Sequence, residues 1–228
     1  MLLAIDTATA LTGLALYGPH GPLAESVWES GRNHTAQLLP QIDTLLRYAG
    51  ATPADVTVIA VGLGPGSWSG LRVGLSLAKG MALAGDLPLI GMSTLEALAY
   101  QYLPTTLPVY PLIRLGRERY ATAPFMARDR LERLAPDRNV TLGELCAAVS
   151  GRALFCGDLD AATIAGLQRG LSDRAVFPLP AARLRRPSFL AELAWQRHLE
   201  QRYDDVATLE PIYLGEPVRA PVTGAQPS

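Results

Sequence analysis

The amino-acid sequence predicts a mixed α/β fold, and three observations support that class. Short apolar runs rich in β-branched residues alternate with stretches whose apolar residues recur at helical spacing. Glycine and proline mark the boundaries between these segments. Hydrophobic residues make up 49% and charged residues 18% of the 228 residues, which is a globular composition with enough length for one large domain or two small ones.

The first hundred residues are predicted to form a strand meander followed by alternating helices and strands. Three strands joined by turns with Gly-Pro pairs are expected at 2–8, 11–18 and 23–30. A helix at 35–49 follows, and Gly50 ends it. The remaining elements are a buried strand at 56–63, a helix at about 69–84, a short strand at 88–92 and a capped helix from Ser93. This order is typical of mixed α/β proteins.

The second half shows weaker patterns, and we place a domain boundary near 104–108. The expected strands lie at 108–113, 119–126 and 153–157, and the expected helices lie at 141–150, 160–169 and 187–203. We therefore divide the chain into an N-terminal lobe at 1–104 and a smaller C-terminal lobe at 105–228. The last helix is a candidate to pack back on the first lobe, and we expect a flexible tail after about residue 217.

One candidate for phosphate chemistry is the turn after the first strand, where Thr7 and Thr9 follow Asp6. A carboxylate beside hydroxyl groups in a tight turn can hold a cation-bound phosphate, because backbone N–H groups face the phosphate and the carboxylate orients metal-bound water. The alternative is an aspartate that accepts hydrogen bonds from its own turn. Short Asp-Thr turns are common, so we favour this alternative for the turn taken alone.

The second candidate is the glycine-rich segment GPGSWSG at 64–70, between a buried strand and a helix. Gly64 and Gly66 allow close approach of the backbone to a ligand, and the helix start near Ser67 offers N–H donors to an anion. The spacing matches neither the dinucleotide fingerprint nor the P-loop. A tight connection between strand and helix explains the same glycines, and both interpretations stay open.

A stripe of small residues runs along the helix predicted at 69–84. Gly70, Gly74, Ala78 and Ala82 are four residues apart and leave one nearly flat face. That face either packs on the protein's own sheet or forms a subunit interface, and we leave both open. In the second case, the helix at 35–49 contributes as well. The predicted partner surface then consists of His34, Leu38, Ile42, Leu45, Gly70, Leu71, Gly74, Leu75, Ala78 and Ala82.

Several kinds of chemistry lack their usual sequence patterns. The three histidines are far apart and the two cysteines lack metal-ligand spacing, so no metal site is expected. The net charge of −1 offers no basic surface for nucleic acid, and we interpret the cluster Arg183, Arg185 and Arg186 as solvated surface. We expect neither a signal peptide nor a membrane span, which favours a cytoplasmic protein.

Five stretches of the sequence carry a resemblance. They are LAIDTAT at 3–9, His34-Thr35 with LLP at 38–40, GPGSWSGLRVGLSLAKGMAL at 64–83, GMSTLEALA at 91–99 and, more weakly, EPIYLG at 210–215. Together they resemble the TsaB (YeaZ) family, whose members are partner subunits in the bacterial machinery that makes threonylcarbamoyladenosine beside the tRNA anticodon. The match is nearly continuous over residues 1–100 and patchy in the second half.

The resemblance implies a two-lobed actin- and Hsp70-like (ASKHA) fold, with mixed sheets flanked by helices. It implies a scaffold that binds a catalytic TsaD-like transferase and a TsaE-like ATPase, contacts tRNA only through the complex, and forms a homodimer when alone. No catalytic residue, metal or cofactor is expected, and weak ATP or ADP binding stays open. The vestigial phosphate loops would consist of Asp6, Thr7, Thr9, Gly64, Gly66 and Ser67.

Two departures from the relatives bear on activity. The catalytic paralogue carries a metal-binding HxxxH where this chain has Thr94 and Leu98, and neither a hydroxyl nor an alkyl group replaces an imidazole ligand. Arg114 stands where the family often has an aspartate, which puts any role of that carboxylate in question. We therefore expect a non-catalytic subunit. The open alternatives are a weak nucleotide-binding ATPase or kinase of the same fold, and a peptidase-like regulatory homodimer.

Overall fold

Two β-sheets organise the structure, a computed structural model that describes residues 1–31, 33–127 and 130–214. The strands of the first sheet are β1 (Leu2–Asp6), β2 (Leu11–Gly18), β3 (Gly21–Glu29), β4 (Val58–Gly64) and β5 (Leu89–Ser93). Their order across the sheet is β3-β2-β1-β4-β5. The first three strands form an antiparallel meander, and β1, β4 and β5 run parallel to one another.

The second sheet is built from shorter strands. These are β6 (Val109–Gly116), β7 (Arg119–Thr122), β8 (Phe125–Ala127), β9 (Leu131–Arg133), β10 (Arg138–Val140), β11 (Ala153–Gly157) and β12 (Ala175–Val176). The main path across it is β10-β7-β6-β11-β12, and β8 and β9 extend from β6. The central strands β6 and β11 are parallel, and β7 pairs with β6 in the antiparallel sense.

Within the described part of the chain, six α-helices cover the sheets. They are α1 (His34–Tyr48), α2 (Trp68–Gly85), α3 (Thr94–Tyr100), α4 (Leu142–Ala148), α5 (Ala161–Leu171) and α6 (Pro187–Leu199). One face of the first sheet forms a core with α1 and α2. The opposite face packs against α6 through Leu190, Ala191 and Ala194. Because both faces are covered, β1 and β4 are buried along their whole length, and their residues other than Asp6 are apolar or glycine.

Two glycines bring α2 unusually close to the first sheet. A Cβ added at Gly70 would lie 2.2 Å from the carbonyl oxygen of Thr7, and one added at Gly74 would lie 2.2 Å from the Thr7 Oγ1. The Thr7 hydroxyl uses this proximity to donate a 2.7 Å hydrogen bond to the Gly70 carbonyl. The small-residue stripe therefore packs on the chain's own sheet, which is the first of the two interpretations left open above.

A final segment, residues 204–214, connects the two sheets, and we name it the strap. At its start, the Asp204 N–H donates to the Leu89 carbonyl (2.9 Å), and the Asp204 Oδ2 accepts from the Gly91 N–H (2.8 Å). Further along, the Ile212 N–H donates to the Leu63 carbonyl at 2.8 Å. At its end, the Leu214 carbonyl accepts a 2.9 Å hydrogen bond from the Asn139 side chain in β10.

The elements differ from the predicted ones mainly in the second half. The strand expected at 119–126 is two strands, because Pro124 offers no N–H for a continuous ladder. The helix expected to reach residue 203 ends at Leu199, and Gln201 adopts a left-handed conformation with φ of 55°. Strands β9, β10 and β12 were not predicted. The lobe division at residue 104 stays a prediction, and the tail expected after about residue 217 lies outside the described residues.

Among the residues that the structure describes, no helix combines the length and apolar character needed to cross a bilayer.

Candidate functional site

A cleft of about 950 Å³ lies between the two sheets. Its first wall is the turn between β1 and β2 together with the start of α2, and its second wall is the ends of β6 and β11. The strap closes one side. The lining residues are Ala8, Thr9, Ala10, Leu11, Gly66, Ser67, Trp68, Arg114, Leu115, Gly116, Asp158, Ile212, Tyr213 and Leu214.

The carboxylate of Asp6 is fully engaged inside the protein. Its Oδ2 lies 2.8 Å from the Nε of Arg185, and its Oδ1 accepts a 3.1 Å hydrogen bond from the Ala8 N–H. Arg185 also donates from Nη2 to the Leu11 carbonyl at 3.0 Å. The side chains of Asp6 and Arg185 are only 3% and 9% exposed. The ion pair thus neutralises the aspartate beneath the turn, and Asp6 is not part of the cleft lining.

The interpretation of the arginine cluster as solvated surface is wrong for Arg185. Leu184 and Arg186 have extended backbone conformations just before α6, so successive side chains point in opposite directions. Arg186 faces outward and pairs with Glu25 at 2.7 Å, with its own side chain 49% exposed. Arg185 faces inward and meets Asp6. Only the tertiary structure identifies its partner, which lies at the other end of the chain.

The glycine-rich loop is occupied by contacts within the chain. The Ser67 N–H donates to the Ala8 carbonyl at 2.6 Å, and the Ser67 hydroxyl caps α2 by accepting from the Gly70 N–H. The Thr9 hydroxyl accepts from the Leu11 N–H at 3.2 Å, which satisfies the turn itself. Of the six predicted phosphate-loop residues, Thr9, Gly66 and Ser67 line the cleft, whereas Asp6, Thr7 and Gly64 are buried away from it.

These residues do not fit a magnesium-bound phosphate in this arrangement. The carboxylate that would orient metal-bound water holds a guanidinium, and a loop N–H that would face an anion is bonded to a carbonyl. Within the described residues, there is no group of three or more His, Cys, Asp or Glu side chains that could hold a metal ion. The contacts therefore match the structural interpretations of both the Asp6 turn and the glycine-rich loop.

The second wall of the cleft carries Arg114 and Asp158. The Arg114 N–H donates to the Asp158 Oδ2 at 2.8 Å, and its guanidinium pairs with Asp160 at 2.7 Å. The same guanidinium donates to the Thr163 hydroxyl at 3.0 Å. Burial raises the pKa of Asp158, although Arg114 and Arg185 act in the opposite direction. Arg114 thus holds the ends of β6, β11 and α5 together on this side of the cleft.

Thr94 and Leu98 lie in the protein interior. Both have 0% exposure, and Leu98 belongs to the apolar core between α3 and the second sheet. The Thr94 hydroxyl is buried without a hydrogen-bond partner among the described residues. The two positions at which the resemblance implies metal-binding histidines in the transferase are therefore filled by buried threonine and leucine side chains.

The residues predicted for the partner surface are buried within the chain itself. His34, Leu38, Ile42 and Leu45 face the first sheet from α1, and the six α2 residues face it from the other helix. The Nδ1 atom of His34 is hydrogen-bonded to the hydroxyls of Thr12 (2.8 Å) and Ser30 (2.9 Å). Burial lowers the pKa of this histidine. These side chains form the interior between α1, α2 and the first sheet, so they do not present an exposed face to a partner.

The outward faces of α1 and α2 form another surface, which shares Leu38 with the predicted partner surface. An apolar groove of about 420 Å³ runs between them. Its lining residues are Thr35, Leu38, Leu39, Arg72, Val73, Ser76 and Leu77. Leu39 at the groove and Leu83 further along α2 are 57% and 72% exposed. We name this surface the outer groove. It was missed because the sequence pattern marks the buried face of a helix more strongly than the exposed one.

An aromatic cluster at the start of α2 was also missed. The rings of Trp68 and Tyr213 stack with centroids 4.0 Å apart. The guanidinium of Arg72 lies 4.1 Å from the Trp68 ring and donates to the Tyr213 hydroxyl at 3.2 Å. The cluster fixes the strap to α2 beside the outer groove. Its partners are more than 140 positions apart in sequence, so no local pattern signals it.

Comparisons with known proteins identify relatives over nearly the whole chain. The chain is 30% identical over 217 residues to the tRNA threonylcarbamoyladenosine biosynthesis protein TsaB of Bacillus subtilis, with 93% of each covered. It is 40% identical over 98 residues to the Escherichia coli protein of the same name, covering 43% of this chain and 42% of that protein. A solved structure, YeaZ from Pseudomonas aeruginosa, superposes with a TM-score of 0.78 at 22% identity, covering 93% of this chain and 99% of that one.

The superposition confirms the ASKHA fold expected from the sequence. A family model described as TsaD: tRNA N6-adenosine threonylcarbamoyltransferase matches residues 28–152, which is more than half of the chain. The match to the Bacillus subtilis protein extends over both sheets. On these findings, the chain belongs to the TsaB (YeaZ) family.

Proposed function

We propose that this protein is a non-catalytic partner subunit in the biosynthesis of threonylcarbamoyladenosine in tRNA. The relatives named for this pathway support the process. The observation that carries the non-catalytic role is the burial of Thr94 and Leu98 at 0% exposure, where the resembled transferase has metal ligands. Neither side chain can coordinate a metal as imidazole does, and Leu98 is enclosed by the apolar core between α3 and the second sheet.

The proposed partner is a TsaD-like transferase, and the proposed contact is the outer groove. The groove joins two helices of the first lobe and exposes leucine side chains beside Arg72. Grooves of this kind suit an apolar helix from a partner, because burying leucines between helices is favourable and the rim arginine adds specificity. We expect the same surface to form a homodimer when the transferase is missing.

Two further contacts follow from the family resemblance. We propose that a TsaE-like ATPase joins the pair of subunits, and that tRNA is bound through the complex rather than by this chain alone. The net charge of −1 supports the second point, because a protein that binds RNA phosphates by itself usually carries an excess of basic residues.

The partner surface is tested by Leu39→Glu and Leu83→Glu, with Leu199→Glu as the matched control. All three residues are exposed leucines on helices, at 57%, 72% and 70%, but Leu199 lies at the end of α6 away from the outer groove. After co-expression with the TsaD-like paralogue from the same genome, we expect each groove variant to weaken association by about 30-fold or more, since a charge replaces a buried apolar contact. The control should co-elute normally.

Normal association of both groove variants would reject the outer groove as the contact. The activity arm is separate: the isolated chain should transfer no threonylcarbamoyl group to tRNA, and adding it to the transferase should raise the yield. Full modification by this chain alone would reject the non-catalytic role, whatever the outcome of the association experiment. A third step adds the TsaE-like ATPase to the purified pair and measures whether a ternary complex elutes.

A further inference from the structure

The ion pair between Asp6 and Arg185 lies beneath the turn that lines the cleft, and both of its charges belong to the chain. Asp6 ends a central strand of the first sheet, where its carboxylate would otherwise be a buried anion without a counterion. Arg185 reaches it from the segment before α6, the helix that covers the face of the first sheet opposite α1 and α2. A buried carboxylate needs such compensation, because its transfer from water into protein is costly.

The guanidinium makes the contacts that a hard cation would make at the same place. Its Nε lies 2.8 Å from the Asp6 carboxylate, and its Nη2 donates to the Leu11 carbonyl at 3.0 Å. A carboxylate and a backbone carbonyl are also the oxygen ligands that Mg²⁺ or Mn²⁺ takes in proteins. On the other wall, burial raises the pKa of Asp158, and the positive charge of Arg185 acts against that rise.

We propose that Arg185 is an internal counterion that holds the cation position on Asp6, so that metal-bound phosphates do not reach this carboxylate. The cleft volume of about 950 Å³ is then not a working metal–nucleotide site in this chain. Replacing the guanidinium by a neutral side chain uncovers a weak divalent-cation site that includes Asp6 and the Leu11 carbonyl.

The experiment measures Mn²⁺ binding from the loss of the free Mn²⁺ signal in electron paramagnetic resonance. The wild-type chain should bind no Mn²⁺ at concentrations of about 5 mM, with or without ADP. Arg185→Gln should bind one Mn²⁺ with a dissociation constant of about 1 mM, typical of a weak oxygen site. Its melting temperature should rise by about 3 °C in 10 mM Mg²⁺, as expected for a ligand that binds only the folded chain.

Two controls isolate the position. Arg186→Gln removes the same charge one residue away, where the guanidinium pairs with Glu25, and should behave like the wild type. The double variant Asp6→Asn with Arg185→Gln should lose the gained Mn²⁺ binding. The association with a TsaD-like partner can fail while these results hold, because the outer groove and the ion pair are tested separately.

Three outcomes would overturn the proposal. One is Mn²⁺ or Mn²⁺–ADP binding by the wild-type chain that Asp6→Asn abolishes, because the site would then be open. A second is folded Arg185→Gln that binds no more Mn²⁺ than Arg186→Gln. If Arg185→Gln does not fold, Arg185→Lys replaces it. That variant keeps a cation at the position. Binding of Mn²⁺ to it through Asp6 is the third outcome that would contradict the proposal. If neither Arg185→Lys nor the wild type binds Mn²⁺, the proposal is supported.

Discussion

Asp6 and Arg185 are two opposite charges in the protein interior, each nearly sealed from water. Removing one member of such a pair costs more stability than removing both. Removing one member leaves an uncompensated buried charge, whereas removing both leaves an apolar gap of tolerable cost. The Asp6 and Arg185 side chains join the first strand of the fold to the segment before its last helix, so the pair also has a positioning role.

A double-mutant cycle on this pair tests that asymmetry. Asp6→Ala and Arg185→Met should each lower the free energy of unfolding by about 3–5 kcal/mol. The double variant should lose clearly less than the sum of the two single effects, because neither charge is then left alone. Urea unfolding of the four chains measures the coupling. Additive effects would show that the two side chains do not interact in solution.

His34 provides a second test at the residue scale. Burial lowers its pKa below the ordinary value of 6.5, and its Nδ1 meets the hydroxyls of Thr12 and Ser30. The unfolded chain therefore binds a proton more readily than the folded chain just below pH 6.5. The stability that neutral His34 contributes is complete above that pH and is lost as the pH falls through its folded pKa.

Compared with His34→Gln, the wild-type chain should lose up to about 1.4 kcal/mol more stability per pH unit below pH 6.5. His198, whose pKa burial also lowers, contributes equally to both chains and cancels in the comparison. Urea unfolding at pH 7.5, 6.5 and 5.5 measures the difference, and a titration of the His34 ring signals by NMR gives the pKa directly. Parallel pH profiles would contradict the assignment.

At the scale of elements, the close packing of α2 on β1 depends on the absence of side chains at two positions. The space at Gly74 is filled by the Thr7 hydroxyl, whereas Gly80 on the same helix has no atom within 4 Å of an added Cβ. The same helix therefore contains one glycine that close packing requires, Gly74, and one that has no packing neighbour, Gly80. Alanine has a higher helix propensity than glycine, which favours alanine at both positions. At position 74 the clash with Thr7 outweighs this gain, so we expect alanine to destabilise the protein at position 74 and to stabilise it at position 80.

Gly74→Ala should lower the free energy of unfolding by about 1–3 kcal/mol, because the new methyl group must displace Thr7 or the helix. Gly80→Ala should raise it by about 0.5–1 kcal/mol. Thermal or urea unfolding of both variants measures whether each substitution lowers or raises the free energy of unfolding. Equal stability of Gly74→Ala and the wild type would mean that α2 sits farther from the sheet than the structure shows.

The elements of the first lobe could be predicted because each carries a strong local pattern. The apolar run of β4 and the N-cap residue Ser93 of α3, whose hydroxyl accepts from the Glu96 N–H, are examples. Strands of two or three residues, such as β9 and β12, are too short to show alternation. The sequence also marked which α2 face is apolar, but a flat apolar face suits a neighbouring sheet and a partner equally well, so burial against Thr7 could not be foreseen.

At the scale of the whole molecule, the strap ties the two sheets together after the last helix. Its backbone bonds with Leu63 and Leu89 on the first sheet, and its end is held by Asn139 on the second. The stack of Tyr213 on Trp68 fixes the strap at the mouth of the cleft. None of these pairings has a sequence signature, since each joins positions far apart in the chain. The cleft could therefore be predicted only from its first wall.

Tyr213→Ala should free the strap without unfolding the lobes. Loss of the aromatic stack should cost about 0.5–1.5 kcal/mol, and hydrogen exchange should speed up within residues 209–214 more than in β1 or β4. Tyr48→Ala is the control, because Tyr48 is 83% exposed at the end of α1. Exchange rates that change equally in the strap and in the central strands would contradict a local role for the stack.

The packing of α6 on the first sheet has a consequence for biosynthesis on the ribosome. Strand β5 ends at Ser93, but the helix that covers this sheet begins only at Pro187. At ordinary elongation rates, the ribosome needs roughly 5 to 20 seconds to synthesise the residues between the end of β5 and α6. During that interval the apolar face formed by Leu2, Val58 and Ile90 is exposed to solvent. The nascent chain is then prone to aggregate, and a ribosome-associated chaperone would protect it by binding this face.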